Sequence, residues 1–178
     1  GWWLRSKLAP GTRCALEHGG VAPVVVAPDA DLDHCILGLI KAGLYHAGQV
    51  CVSVQRVYAH ESIAQELADR VAEGSAKLKI GDPTNKDTDV GPLIRKAETD
   101  RVEEWVKEAV DAGTKVLTGG QRISDSCYEC TVLYDPDDKL KVSSQEVFGP
   151  VICIYPYKKL DEAIDRAVDD DSQALILQ

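Results

Sequence analysis

The 178-residue sequence contains no methionine and a single phenylalanine, and its 20 Lys and Arg residues are outnumbered by 29 Asp and Glu residues. The resulting net charge of −9 argues against nucleic acid as a partner, because phosphate binding requires clustered Lys and Arg side chains. No apolar run approaches the roughly 20 residues of a membrane-spanning helix, so no membrane partner is expected. Neither end carries a signal-peptide pattern, which makes a cytoplasmic location the default expectation.

A natural start is also missing. Because methionine is absent and the sequence opens inside a predicted helix, we expect the chain to be a segment of a longer protein. The six cysteines do not indicate a disulfide framework, since a chain of this length with 44% hydrophobic residues can build a core without such cross-links. Reduced thiols are therefore expected.

Helical periodicity alternates with short β-rich runs, which predicts an α/β fold with a mostly parallel sheet flanked by helices. Predicted helices cover residues 1–8, 32–43, 61–78, 95–112 and 160–168, and predicted strands cover residues 13–16, 21–27, 55–59, 115–118, 128–134, 151–157 and 174–177. Asp29 or Asp31 is expected to cap the second helix. Val102, Val106 and Val110 are expected to share one face of the fourth.

Residues 43–57 surround Cys51 with a pattern that favours a reactive thiol. A lone free cysteine is usually a small buried hydrophobic residue. Here Gly48 permits a close backbone approach on one side of Cys51, and a β-rich run follows on the other. Upstream, Glu17 precedes Gly19-Gly20 in a largely apolar segment. A thiol on a tight turn and a carboxylate are the pair that covalent catalysis followed by hydrolysis requires.

Four segments resemble the motifs of the aldehyde dehydrogenase superfamily, in the family's order and at approximately its spacings. They are Leu16-Glu17-His18-Gly19-Gly20, Gly48-Gln49-Val50-Cys51, Glu146-Val147-Phe148-Gly149-Pro150, and the connecting stretch from Gly81-Asp82-Pro83 to Asp89-Val90-Gly91-Pro92-Leu93-Ile94. The resemblance implies an aldehyde dehydrogenase-like catalytic domain over residues 17–178, truncated at its C-terminal end. Residues 1–16 would then be the end of the cofactor-binding domain.

The resemblance also implies an activity, the oxidation of an aldehyde to a carboxylic acid with NAD or NADP. Cys51 would be the nucleophile that forms a thiohemiacetal and then a thioester, and Glu17 would be the general base that hydrolyses the thioester. Glu146 and Phe148 would contact the nicotinamide ribose, and Gly1 would be the last glycine of the phosphate-binding loop. The implied partners are a small-molecule aldehyde and further copies of the parent protein in a homo-oligomer.

Other interpretations stay open. Glu17 is also explained as a solvated turn residue, and Phe148 as a turn residue with its ring in the core. The parent could be a coenzyme A-acylating aldehyde dehydrogenase, although that group generally lacks the glutamate found here at position 17. It could also be a non-catalytic relative that keeps the fold as a scaffold. The segment alone is expected to be inactive, because most nicotinamide-binding residues of the family fall outside it.

Cys127 and Cys130 form a Cys-x-x-Cys pair that we do not interpret as a metal site. A single pair supplies at most half of a zinc ligand set. On a strand, residues three positions apart point to opposite faces and do not chelate together. No metal is expected.

Overall fold

The computed structural model describes residues 2–16, 20–168 and 175–176, in which strands and helices alternate. The strands are β1 (Pro23–Val26), β2 (Arg56–His60), β3 (Lys115–Thr118), β4 (Thr131–Tyr134), β5 (Val151–Tyr157) and β6 (Leu175–Ile176). They form one sheet in the order β3-β4-β5-β2-β1-β6, in which β3 and β4 are antiparallel and the other neighbours are parallel. The predicted α/β fold with a mostly parallel sheet is therefore confirmed.

Helices accompany this sheet, and all but the first, whose residues are exposed, bury side chains. They are α1 (Trp2–Arg5), α2 (Leu32–Leu44), α3 (Glu61–Ala76), α4 (Lys96–Asp111), α5 (Lys141–Ser144) and α6 (Leu160–Val168), with a 3-10 turn at Tyr45–Gly48 directly after α2. Asp31 is the cap of α2, since its Oδ1 accepts the backbone N–H groups of Asp33 and His34 at 3.0 and 3.2 Å. Among the helices described, none is long and apolar enough to cross a membrane.

The core is densest around β5, which lies between β4 and β2. Residues 151–155 of this strand are all buried. Because successive side chains of a strand point to opposite faces, both faces of the sheet are covered there. Tyr155 of β5 stacks on Tyr58 of β2 with ring centroids 5.1 Å apart, and the Arg166 guanidinium of α6 lies 5.0 Å from each ring. This cation–π contact holds α6 against the sheet.

One predicted strand is absent from the described residues, and another is shorter than predicted. Residues 13–16 lie outside the strands, and residues 13–15 are exposed, so β propensity alone has not made a strand there. Residues 128–130 do not extend β4. Instead Tyr128 forms an isolated bridge with Arg122, and the Glu129 N–H donates to the Gln121 carbonyl at 3.0 Å. This part of the chain pairs with the segment just before it rather than with β5.

The buried face of α4 also departs from the prediction. Val102 and Val106 are buried, but Val110 is 44% exposed. Four residues of an α-helix span about 40° more than a full turn, so side chains spaced every four residues move progressively away from the buried face. The buried stripe continues through Ala109 instead, one step of three residues after Val106.

Candidate active site around Cys51

Three of the four motifs enter the fold at one edge of the sheet. Strands β5, β2 and β1 are adjacent and parallel, so the segments that immediately precede them lie side by side. Those segments contain Gly149 before β5, Cys51 before β2 and Gly20 before β1. The candidate site therefore lies at the amino edge of the sheet, whereas ligands of open α/β sheets generally bind at the carboxyl edge.

The turn that leads to Cys51 requires glycine at one position. His46, Ala47 and Gly48 have φ angles of 51°, 57° and 72°, which places three consecutive residues in the left-handed region. A Cβ atom on Gly48 would lie 2.0 Å from the carbonyl oxygen of Gly149, so no side chain fits there. Gly48 thus packs the Cys51 turn directly against the Glu-Val-Phe-Gly-Pro segment. Left-handed residues other than glycine cost about 1–2 kcal/mol each, and such strain clusters at functional sites.

Cys51 itself is exposed on a fixed turn. The backbone N–H of Ser53 donates to the carbonyl of Val50 at 2.9 Å, which closes the turn around Cys51. The single proton of the Ser53 hydroxyl is shared between the carbonyls of Ala42 and Gly43, at 3.1 and 3.0 Å, near the end of α2. The thiol is therefore accessible to a reactant while its backbone is held in place.

The Leu-Glu-x-Gly-Gly motif reaches this turn through Gly20. A Cβ atom on Gly20 would lie 4.0 Å from the carbonyl oxygen of Cys51. Glu17, the predicted general base, lies outside the described residues, and so does Gly1, the predicted cofactor contact. Their roles stay predictions, but the described end of the glutamate motif lies beside Cys51.

The connecting stretch joins the same turn through a glutamine. The Gln49 side chain donates from Nε2 to the carbonyls of His46 and Pro92, at 2.9 and 3.2 Å. Its Oε1 accepts the backbone N–H of Ile94 at 2.9 Å. All four motifs thus meet at the Cys51 turn, and Gln49, for which no role was predicted from the sequence, joins two of them.

Gln55, just before β2, is a second glutamine whose role was not predicted from the sequence. It is 6% exposed, and its amide forms hydrogen bonds with residues 142–147. The available signal was the pair of polar residues Gln55-Arg56 between the β-forming residues Val54 and Val57. A buried amide in such a position needs hydrogen-bond partners, because an unpaired buried polar group is costly.

Glu146 and Phe148 flank Val147 in the segment that packs on the turn. The Oε1 atom of Glu146 is buried and has no hydrogen-bond partner among the described residues. Such an acceptor costs about 1–3 kcal/mol when unpaired, so it is suited to a ligand that donates a hydrogen bond. Phe148 has a φ of 45° and is 40% exposed, which contradicts the interpretation that its ring packs in the core.

Two of the remaining thiols lie in an environment unlike that of Cys51. Cys130 and Cys153 are buried, and desolvation by burial raises the pKa of each thiol to about 12. Burial also raises the pKa of Cys35, and Cys14 is exposed. Because the thiolate is the reactive form, Cys130 and Cys153 are protonated and inert near neutral pH.

Alkylation should therefore separate these thiols. In the native protein at pH 8, we expect iodoacetamide to modify Cys51 while it spares Cys130 and Cys153. Mass spectrometry of peptides after brief labelling measures the three positions, and labelling in urea is the control in which all of them should react. Modification of Cys153 in the native protein at the rate of Cys51 would contradict the burial described here.

Cys127 and Cys130 precede β4 and do not lie within a strand, so the argument from opposite strand faces does not apply to them. Within the described ranges, no group of three or more His, Cys, Asp or Glu side chains is arranged to hold a metal ion.

A concavity of about 540 Å³ lies away from the Cys51 turn, where residues 112–114 meet residues 135–140 and Arg166. No motif residue lines it, and its wall carries the ion pair of Arg166 with Asp138 at 2.7 Å.

The chain belongs to the aldehyde dehydrogenase family, whose family model matches residues 5–174. It is 42% identical over 168 residues to 3-sulfolactaldehyde dehydrogenase of Priestia megaterium, a match that covers 94% of this chain and 35% of that protein. The chain therefore spans about a third of the length of the curated relatives it matches.

Solved structures agree with this assignment. Aldehyde dehydrogenase 21 of Physcomitrella patens, solved with the reaction product succinate, superposes with a TM-score of 0.90 at 36% identity, over 99% of this chain and 37% of that one. Betaine aldehyde dehydrogenase of Staphylococcus aureus, solved with NAD⁺, superposes with a TM-score of 0.80 at 29% identity, over 85% of this chain and 31% of that one.

Proposed function

We propose that the chain is the thiol-bearing part of an enzyme that oxidises an aldehyde to a carboxylic acid with NAD or NADP. The observation that carries this proposal is the meeting of four motifs at the exposed Cys51 turn. In this proposal residues 1–16 end a cofactor-binding domain and residues 17–178 belong to the catalytic domain. The full-length protein is proposed to be a cytoplasmic homo-oligomer.

Cys51 acts as the nucleophile. Its thiolate adds to the aldehyde carbon, so that a C–S bond forms and the carbonyl electron pair moves onto oxygen. The backbone N–H of Cys51 is the proposed donor to this thiohemiacetal oxyanion. When the oxyanion collapses, the carbon loses a hydride and a thioester remains on Cys51. The fixed Val50–Ser53 turn supports this role, because it holds the thiol in one place.

The cofactor contact is assigned to Glu146 and Phe148. A bound nicotinamide cofactor supplies the acceptor for the hydride. The buried Oε1 of Glu146 suits a ribose hydroxyl, which would donate the hydrogen bond that this atom otherwise lacks among the described residues. The partly exposed ring of Phe148 offers an apolar surface next to it. NAD is supported by the NAD⁺ complex of the S. aureus relative, and NADP is kept as the alternative.

Glu17 is proposed to hydrolyse the thioester. Its carboxylate takes a proton from water, and the water oxygen attacks the thioester carbon. The C–S bond then breaks, the Cys51 thiolate leaves, and the carboxylic acid is released. The position of Gly20 beside the Cys51 carbonyl supports this role, because Glu17 lies three residues before Gly20 in the chain.

Product analysis with the full-length enzyme tests the proposal. We would assay propanal, succinic semialdehyde and 3-sulfolactaldehyde with NAD and with NADP, since two relatives are linked to succinate and to 3-sulfolactaldehyde. The expected result is one carboxylate formed per nicotinamide reduced, without added coenzyme A. A requirement for coenzyme A would favour the acylating alternative, and no reduction of either nucleotide would overturn the proposal. The 178-residue chain alone should reduce neither nucleotide.

A further inference from the structure

Gln55 connects the Cys51 turn to the segment that contains Glu146. Its Nε2 donates to the carbonyls of Val142 and Gln145, both at 2.8 Å, and its Oε1 accepts the backbone N–H of Val147 at 2.8 Å. Both N–H groups and the oxygen of the amide are therefore in use. Two of these hydrogen bonds, to the Gln145 carbonyl and from the Val147 N–H, hold the backbone directly before and directly after Glu146.

The main chain of Gln55 extends this connection to the other motifs. Its N–H donates to the carbonyl of Ala22 at 3.2 Å, two residues after Gly20. Its carbonyl accepts the N–H of Cys153 in β5 at 2.7 Å. One buried residue, four positions after Cys51, therefore forms hydrogen bonds with Ala22 directly before β1, with Cys153 within β5 and with the Glu146 segment.

We propose that Gln55 is a positioning residue, which sets the place of Glu146 and Phe148 relative to Cys51. Glu146 makes no hydrogen bond through Oε1 to a described residue, so its position depends on the backbone on either side of it. The position of the Phe148 ring depends on the same backbone. Phe148 has a left-handed φ of 45°, and it directly follows Val147, whose N–H donates to Gln55. This inference rests on the proposed function, since it assumes that Glu146 and Phe148 contact the cofactor.

Gln49 provides a matched control. Its amide also forms three hydrogen bonds, one to His46 within the turn and two that hold the Cys51 turn to Pro92 and Ile94, away from residues 142–147. Gln49→Met and Gln55→Met remove the same number of bonds at similar side-chain length. A merely structural role predicts the same pattern of losses in both variants. A positioning role for Gln55 predicts losses confined to steps that use the cofactor.

The experiment compares both variants in the full-length enzyme by three measurements. They are the NAD dissociation constant from calorimetry, the rate of aldehyde oxidation, and the rate of p-nitrophenyl acetate hydrolysis, which uses Cys51 without a hydride acceptor. For Gln55→Met we expect the dissociation constant to rise and aldehyde oxidation to fall on the order of 10- to 10²-fold, with ester hydrolysis changed by less than about twofold. For Gln49→Met we expect ester hydrolysis and aldehyde oxidation to fall together.

Unchanged NAD affinity, or an equal loss of both activities in Gln55→Met, would overturn the inference. If that variant does not fold, Gln55→Glu carries the same test, because its carboxylate still accepts the Val147 N–H but no longer donates to the two carbonyls. Misfolding of both variants would mean that Gln55 serves folding alone, which also overturns it. Failure of the proposed function is distinguishable, since the unmodified enzyme would then reduce neither nucleotide.

Discussion

Replacement of Cys51 by serine should lower aldehyde oxidation by the full-length enzyme by about 10³-fold or more, because removal of a covalent nucleophile eliminates the main reaction path. A serine hydroxyl is a weak nucleophile unless a base activates it. Folding should be unaffected, since Cys51 is exposed on its turn and surface substitutions usually change stability by less than about 0.5 kcal/mol. The initial rate of nicotinamide reduction measures the first effect, and thermal unfolding measures the second.

Cys14→Ser is the control for this change, because Cys14 is also exposed and free. The same atom is replaced, but outside the four motifs, so activity should be retained. If Cys51→Ser kept more than about a tenth of the rate, or if Cys14→Ser lost as much as Cys51→Ser, the nucleophile would be a different group.

The sequence identified the motifs and predicted a close backbone approach at Gly48, whereas their meeting at the Cys51 turn is seen only in the structure. A Cβ atom on Gly48 would lie 2.0 Å from the Gly149 carbonyl oxygen, and a Cβ atom on Gly149 would lie 2.6 Å from the Val102 side chain, so each glycine is required by a different neighbour. The alternation of helices and strands similarly predicted parallel pairing. Adjacent parallel strands bring the segments before β1, β2 and β5 to one edge, although the order of the strands was not predicted.

Long-range hydrogen bonds could not be predicted in this way. Gln55 and Val147 are 92 positions apart, and nothing in the local pattern around either residue specifies the other as a partner. The same limit explains the error at residues 13–16, since a strand depends on a partner strand elsewhere in the chain as well as on β propensity. The error at Val110 has a different cause. The prediction spaced the buried residues every four positions, although an α-helix completes a turn in 3.6 residues.

The proposed role of Glu17 rests on its motif and on the position of Gly20, and a kinetic experiment tests this role directly. Glu17→Gln should slow hydrolysis of the thioester by roughly 10²–10⁴-fold, the usual loss when a general base is removed. Acylation should be slowed far less, because Cys51 and its oxyanion donor are unchanged. Rapid mixing should show a burst of reduced nicotinamide near one equivalent per active site, followed by slow turnover. Mass spectrometry should find the acyl group on Cys51.

His18→Gln is the matched control for this variant, since it changes the neighbouring polar side chain and leaves the carboxylate in place. We expect it to show no burst and to keep its steady-state rate within about threefold, because a general base acts through one proton-accepting atom. A burst in both variants would indicate that the whole segment, rather than the Glu17 carboxylate, controls hydrolysis. Unchanged steady-state turnover in Glu17→Gln would remove this residue from the mechanism and leave the hydrolytic water to be activated by another group.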